Sequence, residues 1–356
     1  MKRFHPLQVV ARTNESADSV RIALAVPDDL KAEFDFMPGQ HLPIELLQDG
    51  KRLRRTYSIC SAKGEWPLQI GVRLQPGGQF STYVADELAV GDTLQAMPPT
   101  GRFHANLDAS NEKFYLGVAA GSGITPVLSI IASILQAEPR SRCVLLYGNR
   151  KQSTTMFIED LYALKNRFMQ RLQLHFVFSQ EDQEFPVAAG RIDADKVREL
   201  VGRLCAGATI DEAFVCGPDT MIESTQQALL DCGLSEQQVH SERFGAARRG
   251  TARPAQEPVA GADQSSITVI MDGHEKTFVM SRNGASIVDA AAAHGIELPY
   301  SCKGGVCATC RTHLREGAVE MAYNYGLEPW EVEQGYVLAC QSQPQSDKLT
   351  LDYDKS

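Results

Sequence analysis

The sequence predicts a multidomain protein: an antiparallel β-barrel, then an α/β domain with a parallel sheet, then a small α+β domain. A chain of 356 residues is longer than one hydrophobic core usually serves. Short alternating strands fill the first hundred residues, strand–helix alternation follows, and new strands come after a Gly/Ala/Pro-rich segment. We therefore expect domains at 1–105, 106–245 and 265–356, joined by a linker at 246–264.

The first domain is predicted from period-two alternation punctuated by Pro-Gly, Asp-Gly and Gly-Asp pairs. Its strand-like runs are FHPLQVVA, VRIALAV, HLPIEL, RRTYSIC and LQIGVRL. One helix, at roughly Gln79–Leu88, interrupts them. Short alternating strands separated by turn residues are typical of an antiparallel barrel.

The second domain is predicted from strands that alternate with helices. The strand-like runs are FYLGVAA, CVLLYG, LQLHFVFS and EAFVCG. The helical runs are PVLSIIASILQ, MFIEDLYALKNRF, ADKVRELVGRL and DTMIESTQQALLDCG. Such alternation indicates right-handed βαβ units around a parallel sheet, and the pattern ends near QVHSERF.

The third domain follows a stretch, GAARRGTARPAQEPVAGADQSS, that has no apolar period and is predicted to be a linker. Two strands, ITVIMD and KTFVMS, precede a helix, SIVDAAAAHG, with a Ser candidate for the N-cap and a Gly stop. A cysteine-rich loop comes next. We hypothesise that this domain swings on the linker.

Composition and charge restrict the classes of function. The net charge of −9 argues against nucleic-acid binding, which needs a cationic surface. No apolar run approaches the ~20 residues that cross a bilayer, and the N-terminus lacks a signal-peptide pattern. We expect a cytoplasmic protein with neither a nucleic-acid nor a membrane partner. Thiols in that compartment stay mostly reduced.

Four of the nine cysteines are confined to the third domain: Cys302, Cys307, Cys310 and Cys340. Their spacing, C-x4-C-x2-C and then a distant cysteine, is that of plant-type [2Fe–2S] ferredoxins. Zinc sites favour two CxxC-type or Cys/His pairs, and disulfides are disfavoured in a reducing compartment. We therefore predict a [2Fe–2S] cluster, with zinc and disulfides as alternatives. The other five cysteines are expected to be mostly small buried hydrophobes.

The stretch AAGSGITP, residues 119–126, lies between a strand and a helix. Gly121 and Gly123 permit close backbone approach, Thr125 can cap the helix, and Pro126 suits its first position. A helix N-terminus after a glycine turn is a site for pyrophosphate, although a merely tight turn is the alternative. The next strand ends in Asn149 and Arg150 without a carboxylate, which favours NADPH over NADH. A solvated arginine is the alternative there.

Three further motifs are weak alone. In RRTYS, Arg55 can hold a phosphate, Tyr57 can cover a flavin ring and Ser58 can reach the flavin N5 region. In PGGQFS, Gly77 and Gly78 lead into a helix with Ser81 in its first turn, which offers a second phosphate site. In VCGP, Cys216 before the Gly217-Pro218 turn can lie over a nicotinamide. A surface strand and a buried structural cysteine are the alternatives.

Taken in order, RxYS, GGxxS, GxGxTP, CGP and the cysteine loop resemble the ferredoxin–NADP reductase superfamily with a C-terminal plant-type ferredoxin domain. The resemblance covers the chain apart from the linker and implies a β-grasp fold for the third domain. It implies FAD contacts at Arg55, Tyr57, Ser58, Gly77, Gly78 and Ser81. It implies NAD(P)H contacts at Gly121, Gly123, Thr125, Pro126, Arg150, Cys216, Gly217 and Pro218. The expected catalytic residues are Tyr57, Ser58 and Cys216.

The resemblance also implies an activity. The stretches LRRTYSIC, LLYGNR, SERF and NYGLEPWEVEQGYVLACQ are similar to reductases that serve a di-iron oxygenase epoxidising the ring of phenylacetyl-CoA in phenylacetate breakdown. Electrons would pass from NADPH (or NADH) through FAD and the cluster to that oxygenase. Alternatives are a Rieske dioxygenase, another di-iron monooxygenase or the hybrid-cluster protein as acceptor, FMN in place of FAD, and a non-enzymatic redox sensor.

Overall fold

The computed structural model describes residues 3–48, 51–244 and 264–355. These residues form two compact units, one spanning Phe4–Phe244 and the other containing 264–355. The predicted linker, 246–264, lies outside the described residues except for Gln264, which begins a strand. Among the described residues no helix is both long enough and apolar enough to cross a membrane.

The first half of the larger unit is an antiparallel barrel. Its six strands pair in the order β4-β3-β6-β1-β2-β5. A bridge between Ile59 and Ile70 and a 2.8 Å hydrogen bond from the Cys60 amide to the Gln69 carbonyl link the two end strands. The elements are β1 (His5–Ser16), β2 (Ser19–Ala25), β3 (His41–Gln48), β4 (Lys51–Ser58), β5 (Leu68–Arg73), α1 (Gln79–Asp86) and β6 (Thr93–Ala96).

The second half is a five-stranded parallel sheet in the order β11-β10-β7-β8-β9. Apolar cores cover both of its faces, as expected for a parallel sheet flanked by helices. The fifth strand, β11, was not predicted by the sequence pattern. The elements are β7 (Phe114–Ala120), α2 (Ile124–Ala137), β8 (Arg142–Asn149), α3 (Ile158–Arg167), β9 (Leu172–Phe178), α4 (Ala194–Leu204), β10 (Glu212–Gly217), α5 (Asp219–Asp231) and β11 (Val239–Arg243).

The sheet reverses its winding at β7. The chain moves from β7 to β8 and β9 on one side and later returns to β10 and β11 on the other. In open α/β sheets, such a reversal leaves a crevice at the carboxyl ends of the two strands, where ligands bind. The AAGSGITP turn after β7 and the Cys216-Gly217-Pro218 turn after β10 both lie at this crevice.

The second unit is a mixed five-stranded sheet, in the order β13-β12-β18-β14-β16, with helix α6 packed into its core. Strands β12 and β18 run parallel, whereas the other pairs are antiparallel. The predicted fold class is therefore confirmed. The elements are β12 (Gln264–Met271), β13 (His274–Ser281), α6 (Ile287–Ala293), β14 (Arg311–Glu316), β15 (Val319–Met321), α7 (Pro329–Glu333), β16 (Tyr336–Leu338), β17 (Ser342–Pro344) and β18 (Lys348–Asp352).

Candidate functional site

Strand β4 presents Arg55 and Tyr57 on one face of the barrel because alternate residues of a strand share a face. Arg55 is exposed and Tyr57 is half-buried, while Arg54 beside Arg55 turns inward to Glu45, with 2.7 Å between Nε and Oε2. The Tyr57 ring packs on Phe80 of α1, with 5.0 Å between ring centroids. Burial raises the pKa of the Tyr57 hydroxyl, which therefore stays neutral. The Arg55 guanidinium suits a phosphate, and the packed Tyr57 ring suits a flat ring system beside it.

The PGGQFS turn precedes α1. Gly77 has a φ of +74°, a backbone conformation that favours glycine, and Gly78 is the N-cap residue of α1. The Ser81 hydroxyl donates to the Gly78 carbonyl at 3.0 Å and accepts from the Gln75 amide at 3.2 Å. The Ser81 hydroxyl is therefore already bonded within the turn, and these bonds compete with its predicted contact to a phosphate. The first amides of α1 are the remaining donors for an anion.

Ser58, at the end of β4, meets a carboxylate that no sequence motif indicated. Its hydroxyl lies 3.2 Å from Oε2 of Glu242 on β11, and the other carboxylate oxygen lies 3.3 Å from Nδ1 of His41. His41 and Ser58 are paired residues of β3 and β4. All three side chains are buried. Because a carboxylate only accepts hydrogen bonds, this arrangement places a proton on Ser58 Oγ and on His41 Nδ1.

Cys216 lies beside the same carboxylate. Strands β10 and β11 pair Cys216 with Glu242 in register, so that their side chains are neighbours on the sheet. Burial, and secondarily the charge of Glu242, raise the pKa of the Cys216 thiol well above its usual range. Cys216 is therefore a neutral thiol at physiological pH. It can pack against a ring, but it is not an activated nucleophile.

The turns after β7 and β10 approach each other closely at Gly123. A Cβ on this residue would lie 2.1 Å from the Cys216 carbonyl oxygen, so only glycine fits. Gly121 adopts a φ of +55°, and its carbonyl accepts from the Tyr147 hydroxyl at 2.9 Å. The predicted helix start is wrong in detail, because α2 begins at Ile124 and Pro126 is its third residue rather than its first. The Thr125 hydroxyl donates back to the Ser122 carbonyl.

Arg150 follows β8 at the edge of the same crevice. The sequence pattern predicted no carboxylate there, but Asp18 of the β1–β2 turn lies 3.1 Å from its guanidinium. Asp18 also accepts two hydrogen bonds of 2.7 Å from Arg73. Arg150 remains more than half exposed, so its guanidinium can still reach an anion from solvent.

In the second unit the four cysteines fall into two pairs. The Cys302 and Cys307 thiols interact with each other, and so do those of Cys310 and Cys340. Within the described part of the chain, no three His, Cys, Asp or Glu side chains converge as one metal ion would require. Two thiolates for each of two irons is the ligand set of a [2Fe–2S] cluster, and it does not suit a single zinc ion.

The cysteine loop directs amides at its sulfurs. Lys303, Gly305 and Ala308 all have φ between +50° and +73°. The resulting tight winding brings the amides of Gly304 and Cys307 to within 3.3 and 3.4 Å of Cys302 Sγ. The Thr309 hydroxyl donates to Cys307 Sγ at 3.2 Å. Donors of this kind stabilise negative charge on sulfur, so the loop fits a thiolate-bound cluster.

The protonation of the first pair reflects these contacts. The hydrogen bond with the Cys307 thiol, supported by backbone amides, lowers the pKa of Cys302 to about 5 against the opposing effect of burial. The same interaction, together with burial, raises the pKa of Cys307 well above its usual range. All nine cysteines of the chain are free thiols in the structure.

Three protein-family models match the regions that contain the crevice residues and the cysteine loop. A family model described as an oxidoreductase FAD-binding domain matches residues 6–105, and one described as an oxidoreductase NAD-binding domain matches 118–227. A 2Fe-2S iron-sulfur cluster binding domain matches residues 269–345. The protein is therefore an oxidoreductase with FAD-, NAD- and [2Fe–2S]-binding domains, as predicted.

Individual relatives of the chain indicate which class of oxidoreductase it belongs to. The chain is 41% identical to a component of the 1,2-phenylacetyl-CoA epoxidase of Escherichia coli strain K12, with 99% of each chain covered. It is 33% identical to the ferredoxin reductase component of 3-ketosteroid-9-alpha-monooxygenase of Rhodococcus rhodochrous, over 98% of this chain and 96% of the relative. The structure of phthalate dioxygenase reductase shares the fold, with a TM-score of 0.62, 23% identity and 98% coverage of each chain. The chain thus belongs to the family of ferredoxin-reductase components of oxygenases.

The structure brings together only part of the predicted residue set. Ser58 and Cys216 meet at Glu242, and Tyr57 with Arg55 lines the adjacent barrel face. Glu242 and His41 were missed as site residues. Glu242 is part of the SERF stretch, which resembles the family but carries no recognisable binding motif. The only sequence feature that could have indicated this site is the carboxylate of Glu242 itself. It lies at the end of the domain in β11, a strand of five residues that is too short to be recognised from its pattern.

Proposed function

We propose that this protein takes a hydride from NADPH and delivers single electrons to a di-iron oxygenase that epoxidises phenylacetyl-CoA. The observation that carries the proposal is that one chain combines two features. Ser58, Cys216 and Glu242 are neighbours where the barrel meets the parallel sheet, and the four cysteines of the second unit form two pairs. Bound FAD accepts an electron pair and releases it singly, and a [2Fe–2S] cluster carries one electron at a time. The acceptor is inferred from the 41% identical relative.

In this proposal Ser58, Cys216 and Glu242 position the reacting rings. Ser58 Oγ, whose proton goes to Glu242, would turn an acceptor lone pair toward the N5 edge of a bound flavin. Cys216, a neutral thiol, packs under the nicotinamide without competing as a nucleophile. Tyr57 covers the flavin ring and Arg55 takes a phosphate. The contribution of these residues is orientation and the exclusion of water.

The nucleotide is proposed to bind at the β7–β10 switch crevice. Gly121 and Gly123 allow its pyrophosphate to approach the N-terminus of α2, with Thr125 and Pro126 in the first turn. Gly217 and Pro218 fix the opposite wall. Arg150, exposed at the strand end, is the candidate for the 2′-phosphate of NADPH. We place the reaction in the cytoplasm, where the cluster thiols stay reduced.

The decisive experiment is reconstitution of the purified reductase with candidate oxygenases. With NADPH, oxygen and phenylacetyl-CoA, we expect epoxide formation only when the phenylacetyl-CoA oxygenase is present. Efficient coupling to a Rieske dioxygenase or another di-iron enzyme, and not to this one, would refute the acceptor. Reduction of ferricyanide no faster than background would instead favour a redox sensor.

A further inference from the structure

The exposed apolar side chains of the second unit are concentrated next to the cysteine loop. Of the four large ones between 264 and 355, Tyr325, Trp330 and Val332 lie within eight residues. The Trp330 side chain is the most exposed of them, at 52%. Exposed tryptophan is uncommon on a free surface but is enriched at the centres of protein interfaces.

This aromatic segment is fixed to the cysteine loop at three points. The Tyr325 amide donates to the Gly305 carbonyl at 3.0 Å. Gly326 packs so tightly that a Cβ there would lie 2.8 Å from the Val306 carbonyl oxygen. Arg311, the residue after Cys310, forms a 2.7 Å ion pair with buried Glu331 of α7, the neighbour of Trp330. The segment that carries Trp330 is therefore anchored to the cysteine loop.

Apart from Arg311, which is paired with buried Glu331, the charge along the sequence of the aromatic segment has one sign. From Glu316 to Asp347 the sequence contains six acidic residues and no lysine or arginine. Of these, Glu328 and Glu333 flank Trp330 and are exposed. The whole stretch 265–356 carries 12 acidic and 7 basic residues, a net charge of −5. An apolar anchor with an acidic rim fits a partner that offers an apolar pocket framed by lysine and arginine.

We propose that Trp330, with Tyr325 and the rim carboxylates Glu328 and Glu333, forms the surface on which the oxygenase docks. This inference rests on the proposed function, because it names the acceptor of that pathway as the occupant. Electron transfer falls steeply with distance, so the acceptor must bind close to the cysteine loop. The aromatic segment is the exposed apolar surface that the described contacts tie to that loop.

The test compares W330A with V279A in the full-length holoenzyme. Val279 is a matched control because it is similarly exposed, at 46%. It lies on β13, at one edge of the sheet, whereas the helix of Trp330, α7, packs against β16 at the other edge. With purified phenylacetyl-CoA oxygenase, we expect W330A to raise the Kd and the KM for the oxygenase by about 30-fold, W330F to recover part of this, and V279A to change neither.

Two further measurements make the outcome specific. The rate at which NADPH reduces the cluster within the reductase should be unchanged in W330A. E328Q/E333Q should slow association with the oxygenase at low salt and have little effect at high salt. An unchanged Kd in W330A, an equal loss in V279A, or a slowed internal reduction would overturn the docking surface. A wild-type protein that neither binds nor reduces this oxygenase would overturn the proposed acceptor and, with it, this occupant.

Discussion

The two units assemble their chemical groups from different parts of the chain. In the larger unit, His41, Ser58, Cys216 and Glu242 are buried neighbours that come from β3, β4, β10 and β11. In the smaller unit, three of four cysteines occupy one nine-residue loop wound through positive φ angles, and exposed aromatic residues lie beside it. The difference matches the two proposed tasks. A hydride site benefits from the exclusion of water, whereas a single-electron exit must approach another protein.

The largest expected effect is that of Cys307→Ala, which should abolish one activity and spare the other. Replacement of Cys307 by alanine removes one of two ligands from one iron, so electron delivery to the oxygenase should be abolished. The rate of ferricyanide reduction by NADPH, which needs only the larger unit, should remain largely intact. Cys232→Ala is the control, because this exposed cysteine lies outside both sites. Loss of both activities in Cys307→Ala would mean that the loop also maintains the fold.

The next effect tests the buried carboxylate. Glu242→Gln keeps the shape but offers one acceptor and one donor, so it cannot accept from both Ser58 and His41. The misoriented Ser58 should lower the hydride-transfer rate about 10²-fold with little change in nucleotide affinity. Stopped-flow flavin absorbance measures that rate.

Glu212→Gln provides the matched control for this variant. Glu212 is another carboxylate of the parallel sheet. It is half-buried, and it pairs with Lys113 and His240 away from Ser58. Its substitution should leave hydride transfer within about two-fold of wild type. A wild-type rate in Glu242→Gln would exclude the carboxylate from the hydride site.

The smallest effect concerns the crevice backbone. Gly123→Ala places a methyl group 2.1 Å from the Cys216 carbonyl and should destabilise the larger unit by about 1–3 kcal/mol. The temperature of flavin release should fall by roughly 2–12 °C. Gly202→Ala, in open space on α4, should raise it slightly, since alanine favours a helix by about 0.5–1 kcal/mol. Equal shifts in both variants would show that the two turns are not closely packed.

The same contrast explains what the sequence could reveal. The cysteine site was predictable because its ligands are one residue type at a characteristic spacing, and the strands and helices were predictable from their periodicity. Glu242 and His41 were not, because they are ordinary residue types 201 positions apart and only the pairing of strands brings them together. The hydroxyls of Ser81 and Thr125 showed a related limit, since local backbone partners already occupy them.

The central claim, that electrons enter at the buried site and leave at the cysteine loop, is tested most directly by anaerobic stopped-flow mixing with NADPH. The absorbance of the flavin and that of the cluster are followed in the wild-type protein. We predict that the flavin signal changes first and the cluster signal follows, and that Glu242→Gln delays both by the same factor. Cluster reduction that precedes the flavin change, or that keeps its wild-type rate in Glu242→Gln, would contradict the account.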